Sequence, residues 1–233
     1  MDLSTLGFDV APYRLSGVVV GALLNDPAQL AALGDVAHQP PHRAPPRAPV
    51  LEVKPRHTFA GDGASVVLPA GEVELEVGAS LGIVVGRTAC RVPAAEAMAH
   101  VAGYLIVADH SLPLAAHYRP AVRLKARDGY CVLGPRVVPA AALGDPEALE
   151  VTLSIDGAVV HRHGLAGRVR GVSALLADVS AFMRLNPGDV LLLGRSHGAP
   201  RVRAGQAVAI TVTGLGTLHS RVVAEAAEAG VAA

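Results

Sequence analysis

The chain has 233 residues, 51% of them apolar and 17% charged, and twenty basic side chains balance twenty acidic ones to a formal charge of zero. That composition describes a folded globular protein and excludes a disordered one, and the missing net charge removes the field that would draw a nucleic-acid backbone. Aromatic content of 3% leaves few platforms for base stacking, and two cysteines, Cys90 and Cys131, are too few for a disulfide scaffold and lack metal-site spacing.

Taken in chain order, residues 1–49 combine a short apolar strand over 17–24 with Asn25-Asp26-Pro27, which reads as a cap followed by proline in the first helical turn. A short helix to about Leu33 follows. Prolines 40, 41, 45, 46 and 49 then make a stiff surface connection, so this N-terminal strand–helix segment is expected to pack on a single compact unit over 50–228. That unit predicts strands at 50–54, 66–68, 72–77, 80–85, 103–108, 130–132, 150–155, 190–193, 207–212 and 218–224, with an Asp156-Gly157 hairpin. Helices are expected at 93–101 and at 172–185, where Val172, Leu175, Leu176, Val179, Phe182 and Met183 recur every three or four residues. Asp2 and Asp9 flank only a weak apolar patch and no apolar run is long enough to span a bilayer. A cytoplasmic chain with neither a membrane nor a nucleic-acid partner is expected. Many short strands, few helices and glycine-rich corners predict a mixed β structure, rolled or barrel-like, with short peripheral helices.

The densest charge lies between Tyr118 and Tyr130, where Arg119, Arg123, Lys125 and Arg127 fall within nine residues. If 122–127 is extended, Arg123, Lys125 and Arg127 share one face, and guanidinium groups are good forks for carboxylate oxygens. Just upstream, the apolar run 103–108 ends in Asp109-His110-Ser111, a strand that delivers a carboxylate at its tip. His161 and His163 read as solvent-exposed loop histidines after the hairpin. Gly194-Arg-Ser-His-Gly198, leaving an apolar strand, is a place for a ligand contact. Phosphate-binding Gly-rich loops, His-Glu-x-x-His and Gly-x-Ser-x-Gly are absent from the sequence.

Five segments in order resemble the fumarylacetoacetate hydrolase superfamily: Lys54-Pro-Arg-His-Thr58, Gly82-Ile-Val-Val-Gly-Arg87, Gly103-Tyr-Leu-Ile-Val-Ala-Asp-His-Ser111, Tyr118-Arg-Pro120 with Lys125-Ala-Arg-Asp-Gly129, and Leu185-Asn-Pro-Gly-Asp-Val-Leu-Leu-Leu-Gly194. Gly214-Leu-Gly216 closes the series. Within that family the likeness is to the decarboxylase and isomerase branch of homoprotocatechuate catabolism. The resemblance implies a mixed β-roll and action on a small unsaturated 2-oxo or 2-hydroxy di- or tricarboxylic acid. It also implies assembly as a homodimer or as a heteromer with a paralogous domain.

Active members of the family chelate Mg2+ or Mn2+ with two glutamates on one strand and an aspartate on the next. Asp109 matches the aspartate, but the glutamate positions fall on Gly78 and Ser80, so metal binding is expected to be weak or absent. Glu72, Glu74 and Glu76 share the parity of those positions, but Glu76 lies about 6–7 Å along an ideal strand from Gly78 and reads as part of a solvated acidic face. The family's His-x-x-Glu lid element is replaced by Leu24-Asn25-Asp-Pro-Ala-Gln-Leu30, which disfavours hydrolysis, and its Gly-Thr-Pro turn by Gly194-Arg195-Ser196. By resemblance and charge placement, Lys125 and Asp109 are the candidate catalytic residues. Lys54, Arg119, Arg123, Arg127 and Arg195 are candidate substrate anchors.

Overall fold

Two antiparallel strands of eleven residues, β5 (Leu75–Val85) and β6 (Val101–Ser111), form the spine of the molecule, which the computed structural model describes over residues 17–114 and 121–226. Before them come β1 (Val19–Leu23), α1 (Pro27–Leu33), β2 (Val50–Lys54), β3 (Phe59–Ala60) and β4 (Ala64–Leu68). After them come α2 (Val122–Lys125), β7 (Cys131–Leu133), β8 (Val138–Pro139), α3 (Ala140–Leu143), β9 (Glu150–Ile155), β10 (Ala158–Gly164), α4 (Val172–Ser180), β11 (Val190–Leu192), β12 (Arg201–Val202), β13 (Ala207–Val212) and β14 (Gly216–Ala224).

A nine-stranded sheet runs β2-β1-β11-β5-β6-β7-β3, with β12 beside β5 and β8 beside β6; a five-stranded sheet runs β10-β9-β13-β14-β4. The register fixes two faces, because directly opposed residues point the same way and neighbours along a strand point opposite ways. Val20, Leu81, Ile83, Tyr104, Ile106 and Leu191 face the five-stranded sheet and join Val66, Leu153, Ile210, Leu218 and Val222 in the main core. The alternate residues Val19, Val84, Leu105, Val107, Val190 and Leu192 make a second, smaller apolar cluster on the concave face. Asp109, opposite Gly78, shares that concave face, and so do Glu52 and Lys54, opposite Gly21 and Val19. Small residues let the sheet curl there: a Cβ on Gly82 would stand 2.7 Å from Leu105 Cδ1. The result is a mixed β half-barrel with short peripheral helices.

Several local expectations change. Segments 72–77 and 80–85 are one strand, unbroken through Gly78-Ala79-Ser80, because every residue from Val77 to Val85 is buried between the two faces. Residues 94–100 form a 3-10 turn and not an α-helix, and strand β6 starts directly at Val101. Helix α4 stops at Ser180, so Phe182, assigned to its apolar face, is 67% exposed. Segment 122–127 is not extended: Lys125 N donates to Ala121 O at 3.0 Å and Ala126 N to Val122 O at 2.7 Å, closing one helical turn. Among the described residues no helix is long and apolar enough to cross a membrane.

Candidate active site

The concave face carries a chain of buried charges. Strand β2 turns Glu52 and Lys54 inward and the alternate residues Leu51 and Val53 to its other side, and β6 presents Asp109 where its apolar run ends. Lys54 Nζ donates to Asp109 Oδ1 at 2.5 Å and lies 3.1 Å from Glu52 Oε1. Lys125, turned inward by α2, donates to both Glu52 oxygens at 2.7 and 2.8 Å and reaches Asp109 Oδ2 at 3.3 Å. Glu52 and Asp109 thus each bridge the two lysines, and the four side chains are 14% exposed or less.

Burial alone would raise the Asp109 carboxyl, but the charges of Lys125, Lys54 and Arg195 outweigh it and hold it well below the usual carboxylate range. Burial likewise works against the Lys54 ammonium, and the Asp109 and Glu52 carboxylates overcome it, keeping that ammonium above its ordinary range. The Cys131 thiol, opposite Asp109 across the β6–β7 pair, is pushed up to about 12 by burial and stays protonated.

Arg195 completes the face from the loop after β11. Its Nη1 lies 3.3 Å from Ser111 Oγ and 3.3 Å from Glu76 Oε2, and its stem lies over Gly78. A Cβ at position 78 would stand 2.7 Å from Arg195 Cδ and 2.9 Å from Arg195 Cβ, so glycine at 78 leaves the room this arginine fills. Ser80 has a structural partner instead: its hydroxyl accepts from Gly194 N at 3.1 Å, tying the loop to β5. Gly194 has φ of 96° and its hydrogen on that side lies close to Ala22 O, a position for glycine.

The face therefore gathers Lys54, Lys125, Arg195 and Asp109, together with Glu52 and Glu76, which sequence reasoning missed. Glu76 is no solvated acid. It is 14% exposed and paired with Arg195, because β5 continues straight through Gly78 and carries it onto the concave face. Glu52 had one signal in the sequence, its two-residue offset from Lys54 on a predicted strand. Arg123 and Arg127 do not join the cluster: once 122–127 coils, the shared face is lost, and both line a surface hollow of about 440 Å³ with Val67, Pro69, Tyr130 and Glu225. Arg119 lies outside the described residues.

Such a face does not fit Mg2+ or Mn2+. Hard divalent ions take oxygen ligands, whereas Asp109 is surrounded by two ammonium groups and a guanidinium. Among the described residues no group of three or more His, Cys, Asp or Glu side chains is placed to hold a metal ion.

His161 and His163 are also relocated. They sit on β10 and not in an exposed loop, and both turn to Ser196: its Oγ is 2.7 Å from His161 Nε2 and 3.2 Å from His163 Nδ1. Burial, with Arg168 nearby, lowers His163 to about 4. Beside them Asp26 caps α1 at Ala28 N, accepts from His197 N at 2.8 Å and pairs with Arg168 Nη1 at 3.4 Å, joining three segments.

Comparison with known proteins agrees with this architecture. A bifunctional isomerase/decarboxylase of 4-hydroxyphenylacetate degradation from Salmonella dublin is 37% identical over 211 residues, covering 91% of this chain and 48% of that protein. The chain spans about half the length of that relative. The crystal structure of 5-carboxymethyl-2-hydroxymuconate delta-isomerase from Mycobacterium smegmatis superposes with a TM-score of 0.78 at 31% identity, covering 91% of this chain and 81% of that one. A fumarylpyruvate hydrolase from Pseudomonas aeruginosa, solved in complex with Mn2+ and pyruvate, shares the fold at 24% identity, with a TM-score of 0.73 and coverage of 89% of each chain. The family described as fumarylacetoacetate (FAA) hydrolase C-terminal matches residues 18–223, and the chain belongs to that family, whose members are isomerases, decarboxylases and hydrolases of small 2-oxo and 2-hydroxy acids.

Proposed function

We propose that the chain is a subunit of a decarboxylase and isomerase acting on 5-oxopent-3-ene-1,2,5-tricarboxylate and its 2-hydroxyhepta-2,4-diene-1,7-dioate product. The observation that carries this reading is the placement of Lys54 and Lys125 against Asp109 on the concave face. The functions of the Salmonella and Mycobacterium smegmatis proteins support the substrate class. Carboxylate loss leaves an electron pair that a 2-oxo group accepts as an enolate, and fixed cations stabilise that charge best where water is excluded. Because Asp109 stays ionised and Lys54 stays charged, neither is the proton carrier; both hold and orient. Lys125, held by Glu52 and Asp109 at the end of the α2 turn, takes the role of delivering a proton or binding the substrate carboxylate, with Arg195 as a second anchor. Assembly with itself or with a similar domain is part of the proposal, supported by a relative about twice as long.

A second reading has its own support. Lys54, Lys125 and Arg195 are each already paired with Asp109, Glu52 or Glu76, as in a subunit that stabilises a catalytically competent paralogue. Lys125→Met, assayed for tricarboxylate decarboxylation alone and mixed with the nearest paralogue, separates the two. Loss of a charge-assisted contact worth about 1.5–3 kcal/mol predicts a fall of roughly 10- to 150-fold in kcat/KM while the fold is retained. Unchanged kinetics in both settings would reject the catalytic role.

A further inference from the structure

We propose that Arg195 is the metal-excluding residue of this chain: its side chain fills the volume above Gly78 and places a fixed cation beside Asp109 and Glu76, where an ion held by those carboxylates would otherwise sit. The inference concerns cation occupancy alone and does not rest on the reaction proposed above.

Three observations meet here. First, the fit is mutual, since any side chain at 78 would overlap the Arg195 stem, with contacts of 2.7 and 2.9 Å from the Cβ alone. Second, the guanidinium is engaged on the same face as Asp109. Its Nη1 is 3.3 Å from Glu76 Oε2 and 3.3 Å from Ser111 Oγ, and its charge is among those that hold the Asp109 carboxyl down. Third, the buried charges balance, with the exposed Arg201 reaching Glu76 Oε1 from outside at 3.9 Å. Asp109, Glu52 and Glu76 face Lys54, Lys125 and Arg195, three of each sign, with every one of these side chains 14% exposed or less. A divalent ion added to that face would raise a balanced, buried network to a net charge of two, with no unshared carboxylate to receive it. Desolvating such an excess is costly, whereas the covalently attached guanidinium is already within reach of its oxygen acceptors. Gly78 and Arg195 therefore act as a matched pair. The first leaves the space open, and the second fills it and brings positive charge to the carboxylates beside it.

Manganese alone is the probe, followed by loss of the free Mn2+ electron paramagnetic signal and by thermal unfolding of the full chain. The natural sequence is expected to leave 1 mM Mn2+ free and to unfold at an unchanged temperature. Gly78→Glu with Arg195 retained should also leave Mn2+ free, because the new side chain must push the Arg195 stem aside and the displaced guanidinium still competes for the carboxylates of this face. Gly78→Glu combined with Arg195→Thr should bind at least 100-fold more tightly, with unfolding raised by about 5 °C or more at 1 mM Mn2+. Stoichiometric binding by the natural sequence, or equal binding with and without Arg195, would overturn the proposal. Should a glutamate at 78 prevent folding, Arg195→Ala decides: Mn2+ must stabilise this variant and leave both the natural chain and Arg195→Lys unmoved, and equal responses in all three would refute the role of Arg195.

Discussion

Replacing Asp109 with asparagine keeps the shape of the side chain and removes its charge, so it isolates what the carboxylate contributes. Asp109 accepts from Lys54 at 2.5 Å and from Lys125 at 3.3 Å with its side chain 6% exposed, and after the change the two lysines share Glu52 alone. Removing one partner of a buried ion pair costs about 3–5 kcal/mol, since the other charge stays out of water. For a chain of this size that corresponds to a fall of roughly 6–20 °C in Tm. Urea unfolding at pH 7 should show the loss as a lower midpoint with an unchanged slope. The carboxyl is depressed in the folded state, so its stabilisation is complete above the unfolded carboxyl pKa and fades progressively as pH falls from there to the much lower folded value. The gap between the natural chain and the variant should therefore persist undiminished at pH 5. Adding Lys54→Met to Asp109→Asn should return part of the stability, because it removes a cation that has lost its best partner. A loss below about 1 kcal/mol, or strict additivity in the double variant, would refute the network as a buried, coupled unit.

Two further outcomes are expected. Burial lowers both His110 and His163 to about 4, so the unfolded chain binds more protons between the ordinary histidine value and that pH; stability should fall as pH drops from about 6.5 to 4, with His110 contributing up to about 3 kcal/mol, and His110→Gln should flatten the slope in a pH series of thermal melts. Asn25→Ala should cost about 2–3 kcal/mol in urea unfolding, because the 3% exposed amide donates to Leu193 O and Arg170 O and accepts from Arg170 N, all between 2.8 and 2.9 Å, and leaves them unpaired when removed; a cost within experimental error would count against that junction.

The strands were legible because their apolar periods are local. β2, β9 and β13 fall on the predicted residues, and the Asp156-Gly157 turn lies where its dipeptide places it. Failures came where tertiary contact overrode local preference. Gly78-Ala79-Ser80 reads as a break but is held extended by burial on both faces, and Glu76 is drawn inward by an arginine 119 positions away. The basic segment misled for another reason: parity arguments hold only for extended chain, and one helical turn at 122–125 sends Lys125 inward and its arginine neighbours to the surface. Of the charged face, Asp109 was readable as the end of a buried strand. Glu52 and the Gly78–Arg195 pairing depend on which strands become neighbours, which a single sequence does not display.

The parallel pairing of β1 with β11 sets a schedule for how this protein emerges during synthesis. Val18 N donates to Asp189 Oδ1 at 2.7 Å across 171 residues, and Val19 to Gly21 register against Val190 to Leu192. At about 5–20 residues per second, the strand that joins β1 to β5 arrives roughly 9–34 s after β1 itself. β2 can cover one edge of β1 early, through a local antiparallel pairing, while the other edge waits with its backbone groups unpaired. Until β11 is inserted, β1 and β2 have no hydrogen-bonded link to the β5–β6 spine, so Lys54 and Asp109 meet only once the curl is complete. During that interval the nascent chain carries an open apolar strand edge, the kind of surface that pairs with neighbouring chains on a crowded polysome.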